Sequence, residues 1–322
     1  MKLGLQLHPE RGMDSVFEEA CQADAQGYDS IWLFDHLMDW HGQHSPDGPY
    51  DSFTLMAALG GATKQVRLSW ATLNLSFRYP QVLAKMLTTL DQATHGRVIC
   101  CLGSGWFEEE CEAYNIPLRH DHDERAEYAR EVIHLFKQLW THPAPERTTF
   151  EGKYVRVHEL PFNPAPYQKP HPPIWMGGDS DVSLGIVKDL ADGWLMLRSG
   201  NPETLSKVLG ASDWPRRPMI VAKGARVFVA DSRQQAIDEA AASFTATAGA
   251  NSAKVEQPGH PTVPHSPEVQ QFIAREIVGT PDECMDRIAE IGSWGINYLR
   301  MNFDNLAQQE RVARLILPLL AG

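Results

Sequence analysis

The chain has 322 residues, 43% of them hydrophobic and 22% charged, with a formal net charge of −12 at pH 7. That balance describes a globular protein with a core of its own, and the acidic surplus disfavours a nucleic-acid or anionic-membrane surface while leaving room for a local basic pocket. The five cysteines (Cys21, Cys100, Cys101, Cys111 and Cys284) form no CxxC pair, which fits reduced thiols in a cytoplasm rather than a disulfide framework.

Residues 1–7 make an apolar run too short for a signal peptide before His8-Pro9-Glu10, and no run reaches membrane-spanning length. A cytoplasmic protein is the expectation. Strand-like runs then recur at 2–7, 29–34, 66–72, 97–102, 173–177, 193–197, 219–229 and 297–302. Helical patterns lie between them. Residues 57–59 and 83–87 sit in such patterns, Asn201-Pro202-Glu203 opens a further helix, and Thr280-Pro281-Asp282-Glu283 is a capping box with proline at the first helical position. Eight alternating units predict an α/β fold, a (β/α)8 TIM barrel formed by residues 1–322 as one domain, with a doubly wound open sheet as the alternative.

Two segments break the rhythm. Residues 142–167 are rich in proline and charge and hold the hairpin-like turn Phe150-Glu151-Gly152-Lys153-Tyr154. Residues 246–267, after the seventh strand, carry Gly249, Pro258, Gly259, Pro261, Pro264 and Pro267. They are expected to form a long insertion loop and a candidate lid over the mouth.

In a barrel the residues after each strand line the C-terminal mouth, where active sites form. This chain places there His8; Asp35, His36 and Trp40; Asn74 and Arg78; Ser104, Trp106 and the run Glu108-Glu109-Glu110; Gly177, Gly178 and Ser180; Arg198 and Ser199; Arg226; and Asn302 and Asp304. The glycine turns Gly103-Ser104-Gly105 and Gly177-Gly178 each stand between a strand and a helix. Such turns let a ligand approach the backbone and present helix N–H groups to an anion. Histidine suits proton transfer near neutral pH, and His36 beside Asp35 is the first catalytic candidate. His8, His36, Arg78, Arg198 and Arg226 would form a cationic cluster for an anionic substrate if they converged.

Several motifs, in order and spacing, resemble the bacterial-luciferase-like flavin-dependent oxidoreductases and monooxygenases. They are residues 28–36 ending in Asp35-His36, residues 83–97, Gly103-Ser104-Gly105-Trp106-Phe107-Glu108-Glu109-Glu110, Pro172-Pro173-Ile174-Trp175-Met176-Gly177-Gly178-Asp179-Ser180, Ala191-Asp192-Gly193-Trp194 and Val278-Gly279-Thr280-Pro281. The resemblance implies a flavin at the mouth. Its phosphate would be held by Gly177, Gly178 and Ser180, with His122 and Arg125 adding side-chain contacts. Its ring would be flanked by Asn74, Ser104 and Trp106. On the residues alone, Arg125 reads equally as a surface ion pair with Glu124 or Glu127, Trp106 as plain core, and Trp40 as a loop anchor.

The resemblance further implies catalytic roles for His8, Asp35, His36, Trp40 and Arg226. It implies reduced FMN, O2 and a homodimer. Because Gly103-Ser104-Gly105 runs on to Trp106-Phe107-Glu108 and not to the third glycine of a dinucleotide turn, the reduced flavin is expected from a separate flavin reductase. The mouth cations, if they converge, point to a small anionic or polyhydroxylated substrate such as a sulfonate, sulfosugar or carboxylate. Two departures weaken an alkanesulfonate assignment: Phe228 stands where a functional histidine falls, and Ala126 where the phosphate helix carries tyrosine. The rival cofactor is the deazaflavin coenzyme. Asp35-His36-Leu37-Met38-Asp39-Trp40 matches the Asp-His-x-x-x-Trp of the dehydrogenases that use it. A non-catalytic flavin-binding protein is a further alternative. A metal-dependent hydrolase would draw on His41-Gly42-Gln43-His44 and Asp121-His122-Asp123 but lacks an HxH dyad after the first strand, so no metal is expected.

Overall fold

The computed structural model describes residues 1–39, 48–196, 202–252 and 266–321. In chain order the strands are β1 (Lys2–Gln6), β2 (Ser30–Leu33), β3 (Arg67–Trp70), β4 (Leu73–Asn74), β5 (Cys100–Gly103), β6 (Thr148–Glu151), β7 (Arg156–Leu160), β8 (Ile174–Gly177), β9 (Gly193–Met196), β10 (Ile220–Val229), β11 (Ile277–Gly279) and β12 (Tyr298–Asn302). The helices are α1 (Met13–Gln26), α2 (Ser52–Ala62), α3 (Pro80–Ala93), α4 (Glu108–Ala113), α5 (His122–Thr141), α6 (Asp181–Leu190), α7 (Pro202–Leu209), α8 (Arg233–Ser252), α9 (Pro267–Arg275), α10 (Pro281–Ser293), α11 (Leu306–Leu315) and α12 (Leu317–Ala321).

Nine strands pair in parallel in the order β3-β2-β1-β12-β10-β9-β8-β5-β4. A parallel bridge between Leu68 and Val98 brings the two ends of that sheet together. Leu68 N–H donates to Arg97 O and Ile99 N–H to Leu68 O, both at 2.9 Å. β3 and β4 are two pieces of the third strand run, separated by Ala71 and Thr72. The doubly wound alternative is therefore set aside: the sheet curls into a nearly closed barrel. Every barrel run expected from the sequence contains a strand. The reason is visible in β5 and β8, short apolar runs with all residues buried, as strands covered on both faces require.

The lumen is floored by Trp32, Trp175 and Tyr298, whose rings stand 5.1–6.1 Å apart. The Tyr298 hydroxyl bonds Ser30 Oγ and donates to Asp29 at 2.7 Å, so this buried polar group is satisfied. The larger core lies between barrel and helices. α5 shows the pattern that builds it, with Ala126, Ala129, Ile133, Phe136 and Trp140 all buried at helical spacing. At the lower rim Arg97 ties the end of α2 to the barrel by donating to the carbonyls of Gly60, Thr63 and Val66 and to Thr63 Oγ1. Asp24 accepts three backbone N–H bonds there, from Lys64, Gln65 and Val66.

β6 and β7 form the antiparallel hairpin expected within 142–167. The expected loop at 246–267 is corrected in part. α8 continues through Ser252 and α9 begins at Pro267 behind the cap Ser266, while 253–265 lie outside the described residues. The capping box at Thr280 and Glu283 is present. Among the described residues no helix is long and apolar enough to cross a membrane.

Candidate active site

A cavity of about 370 Å³ opens at the C-terminal ends of β2, β4, β5 and β8. It is lined by Asp35, His36, Thr72, Asn74, Ser104, Trp106, His122, Arg125, Gly177, Gly178, Ser180 and Ser183, among others. The structure thus brings together most of the residues singled out from the sequence. Trp40, Arg198, His41 and His44 lie outside the described residues. His8 and Arg226 are absent from this lining. His8 Nε2 lies 2.6 Å from Asn302 Oδ1 and its Nδ1 2.7 Å from Glu10. Arg226 bonds Ser243 at 2.9 Å and Asp304 at 3.0 Å. Among the described residues no three His, Cys, Asp or Glu groups gather as a metal site.

One end of the cavity is a cradle formed by two helix N-termini. Ser180 caps α6, accepting the Ser183 N–H at 3.2 Å, and Asp121 caps α5, accepting from Glu124 at 2.8 Å. Both N-termini face the cavity, and each leaves N–H groups without intrahelical partners. Arg125 is pinned by its own loop, Nη1 donating to Arg119 O at 2.7 Å and His120 O at 2.8 Å. Its Nε is buried with no partner. The surface-pair reading of Arg125 is not what is seen; Glu127 instead pairs with Lys153 and Tyr154.

The glycine turns work differently from the expectation. At Gly178, φ is +132° and a Cβ would lie 2.7 Å from Ser183 Oγ, but its N–H already donates to Leu195 O at 3.3 Å. Gly178 therefore shapes the turn rather than supplying a donor. At Gly103, a Cβ would collide with Thr72 Oγ1, so the Thr72 side chain, between β3 and β4, fills that space.

The opposite wall carries the polar and aromatic groups. Asp35 is buried and fully engaged. It takes both Arg78 Nη groups at 2.8 and 3.2 Å, Ser52 Oγ at 2.5 Å and Asn74 N–H at 2.8 Å. With these four bonds on its two oxygens, Asp35 positions Asn74 and Arg78. Burial opposes the charge on Arg78, and Asp35 and Asp51 overcome it, raising the guanidinium pKa above its ordinary value.

Glu110 bonds His36 from one side. Its Oε2 lies 3.1 Å from His36 Nδ1, while Oε1 accepts the N–H groups of Leu37 and Met38. Trp106 is 60% exposed, which excludes plain core, and its ring meets His36 edge-on at 5.8 Å. Of the cations expected to gather at the mouth, Arg78, Arg226, His8 and His36 each have a carboxylate partner. Phe228 is buried with Ala240 and Phe272, and Ala126 is buried in α5.

A model of the luciferase-like monooxygenases matches residues 2–298. The chain belongs to the luciferase-like monooxygenase family. Among its relatives in this family is an FMNH2-dependent dimethylsulfone monooxygenase of Pseudomonas putida, 26% identical over 86% of this chain and 80% of that protein. An F420-dependent glucose-6-phosphate dehydrogenase of Microbacterium testaceum is 29% identical over 66% of this chain; the match spans 62% of that enzyme. The monooxygenase RslO1 of Streptomyces bottropensis shares the fold, with a TM-score of 0.79 at 23% identity over 99% of this chain and 100% of that one. This luciferase-like chain is thus an enzyme of the oxidoreductase class, built on the barrel that its strand pattern predicts.

Proposed function

We propose that this chain is the oxygenase component of a two-component system. It takes reduced FMN from a separate flavin reductase, together with O2, and oxygenates a small organic anion. The observation that carries the reading is the cradle at one end of the cavity. Two helix N-termini and a buried, unpartnered Arg125 Nε suit a phosphate group, and the slot beside it is flanked by Asn74, Ser104 and Trp106. When bound, reduced FMN would supply the electrons that let O2 deliver one oxygen atom to the substrate and release the other as water.

The protein's part is binding, orientation and proton handling. Arg125, His122 and Ser180 would hold the phosphate. Asn74, fixed by Asp35, and Trp106 would set the ring plane. His36, with Glu110 on Nδ1, would hold or move a proton through its other ring nitrogen. His8 and Arg226, at neighbouring strand ends, would border the substrate, and Trp40 is a candidate beside His36. A homodimer and a cytoplasmic location belong to the same proposal.

The second reading is a deazaflavin-dependent dehydrogenase. The similarity to the F420-dependent glucose-6-phosphate dehydrogenase and the His36–Glu110 pair favour it. The broader match to the FMNH2-dependent relative weighs toward FMN. Parallel titrations of the purified chain with reduced FMN under argon and with reduced deazaflavin coenzyme, read by fluorescence, decide between them. The expected result is tight binding of reduced FMN followed by oxygen-dependent substrate conversion. Binding of the deazaflavin alone would overturn the oxygenase reading. Tight FMN binding without turnover of any substrate would favour a non-catalytic flavin carrier.

A further inference from the structure

The barrel lumen holds a cation that none of these roles uses. Arg300 stands on β12 in register with Gly4 of β1 and Gly224 of β10. Its side chain crosses the lumen. Nη1 donates to Gln6 Oε1, and the guanidinium carbon lies 5.3 Å from the Phe34 ring centroid. Nη2 lies 3.1 Å from the point where a Cβ on residue 224 would stand, so glycine there makes the room. Two residues earlier on the same face, Tyr298 belongs to the aromatic floor; two residues later, Asn302 bonds His8 at the mouth. Arg300 therefore sits one layer above the floor, and the residue keeps some solvent-accessible surface.

What sets Arg300 apart is its lack of a counter-charge. Arg78 and Arg226 at the mouth each pair with a carboxylate. Among the described residues Arg300 has no such pair, and the titratable group that bears on it is Cys101. Its Nε is buried without a partner. Burial pulls its pKa down to about 10, which still leaves it charged at neutral pH. Because Gln6 takes Nη1, the edge formed by Nε and Nη2 remains, and that edge is the one that accepts two oxygens of a single oxyanion side by side. An unpaired buried guanidinium is costly to the protein alone, and a ligand oxyanion would relieve that cost.

We infer that Arg300 is the substrate anchor, and that it takes an organic oxyanion, a carboxylate or sulfonate, side-on at the base of the mouth. The inference rests on the oxygenase reading for the anion's role as substrate. The anion's binding needs no flavin.

Calorimetric titration of the wild type, Arg300→Gln and Arg300→Lys with 1-propanesulfonate and with butyrate tests it, with dimethyl sulfone as the uncharged control and reduced FMN titrated separately. The wild type should bind both anions more tightly than the sulfone. Arg300→Gln should weaken the anions about 10- to 100-fold, from lost charge-assisted bonds, and leave reduced FMN within about twofold of wild type. Arg300→Lys, which keeps the charge but not the two-donor edge, should fall between, and it carries the test if the glutamine variant does not fold. Three results overturn the inference: no anion binding by the wild type, equal anion affinity in the variants, or loss of FMN affinity with anion affinity unchanged. Failure of reduced FMN to bind while Arg300-dependent anion binding persists would instead sink the oxygenase reading and leave the anion site standing.

Discussion

Glu110 holds His36 from behind. Its Oε2 is 3.1 Å from Nδ1, and its other oxygen is spent on the backbone N–H groups of Leu37 and Met38. One buried carboxylate thus fixes both the imidazole and the chain that carries it. A carboxylate on Nδ1 favours the proton there and so fixes the tautomer and orientation of the ring. Glu110→Gln should lower kcat by about 10-fold or more and leave the Kd for reduced FMN nearly unchanged, while His36→Ala should cost about 10²- to 10⁴-fold. Rapid-mixing turnover alongside flavin titration separates the two effects; equal losses in flavin binding would show Glu110 to be a folding residue only.

The cradle at α5 and α6 gives a binding prediction. Arg125→Met should raise the Kd for reduced FMN about 10- to 100-fold but change the Kd for riboflavin, which has no phosphate, by less than about twofold. A uniform loss for both ligands would remove Arg125 from the phosphate site.

Removing Arg78 strands Asp35 in a buried position with only neutral donors. Arg78→Met should destabilise the fold by about 3–5 kcal/mol. The double variant Asp35→Asn with Arg78→Met should lose less than the single one, because the uncompensated charge is gone. Urea unfolding midpoints of the three proteins check the ordering.

Asp24 makes a pH prediction. Burial tends to raise its pKa, but the N–H bonds from Val66, Gln65 and Lys64 outweigh it and hold the carboxyl below its ordinary value. A depressed folded-state pKa contributes stability that is present above the unfolded value, about 3.9, and lost as pH falls through the folded one. The wild type should therefore lose stability over that acid window, and Asp24→Asn should lose less of it. Unfolding curves from pH 6 down to pH 2 report the difference.

The thiols should divide sharply. Cys21 is exposed and the other four are buried. Burial pushes Cys284 up to about 12, and Cys100 and Cys101 well above their ordinary range. Iodoacetamide at pH 8 should label Cys21 in the folded protein and all five cysteines only after denaturation; rapid folded-state labelling of Cys100 or Cys101 would contradict the closed barrel.

The barrel is legible in the chain because parallel strands buried on both faces read as short apolar runs, and capping residues mark where helices begin. The cradle is legible because strand, glycine and Ser180 follow one another locally. Glu110 is not, since it ends a run of three glutamates that reads as solvated surface; its burial depends on α4 folding back over the loop after β2. Arg300 is hidden for a related reason. An arginine in a strand suggests an outward face, and only closure of the sheet turns that face inward. The pairing of His8 with Asn302 spans nearly the whole chain and has no local signature. In 246–252 the glycine and nearby prolines obscure a helix that α8 carries through to Ser252.

Arg97 fastens the lower rim through carbonyls and a hydroxyl at the far end of the barrel from the mouth. The groups that close the barrel there are not the groups that would meet a substrate. A lineage built on this frame can trade one substrate for another by altering loops at the top without reopening the barrel beneath them, so selectivity and foldability drift independently.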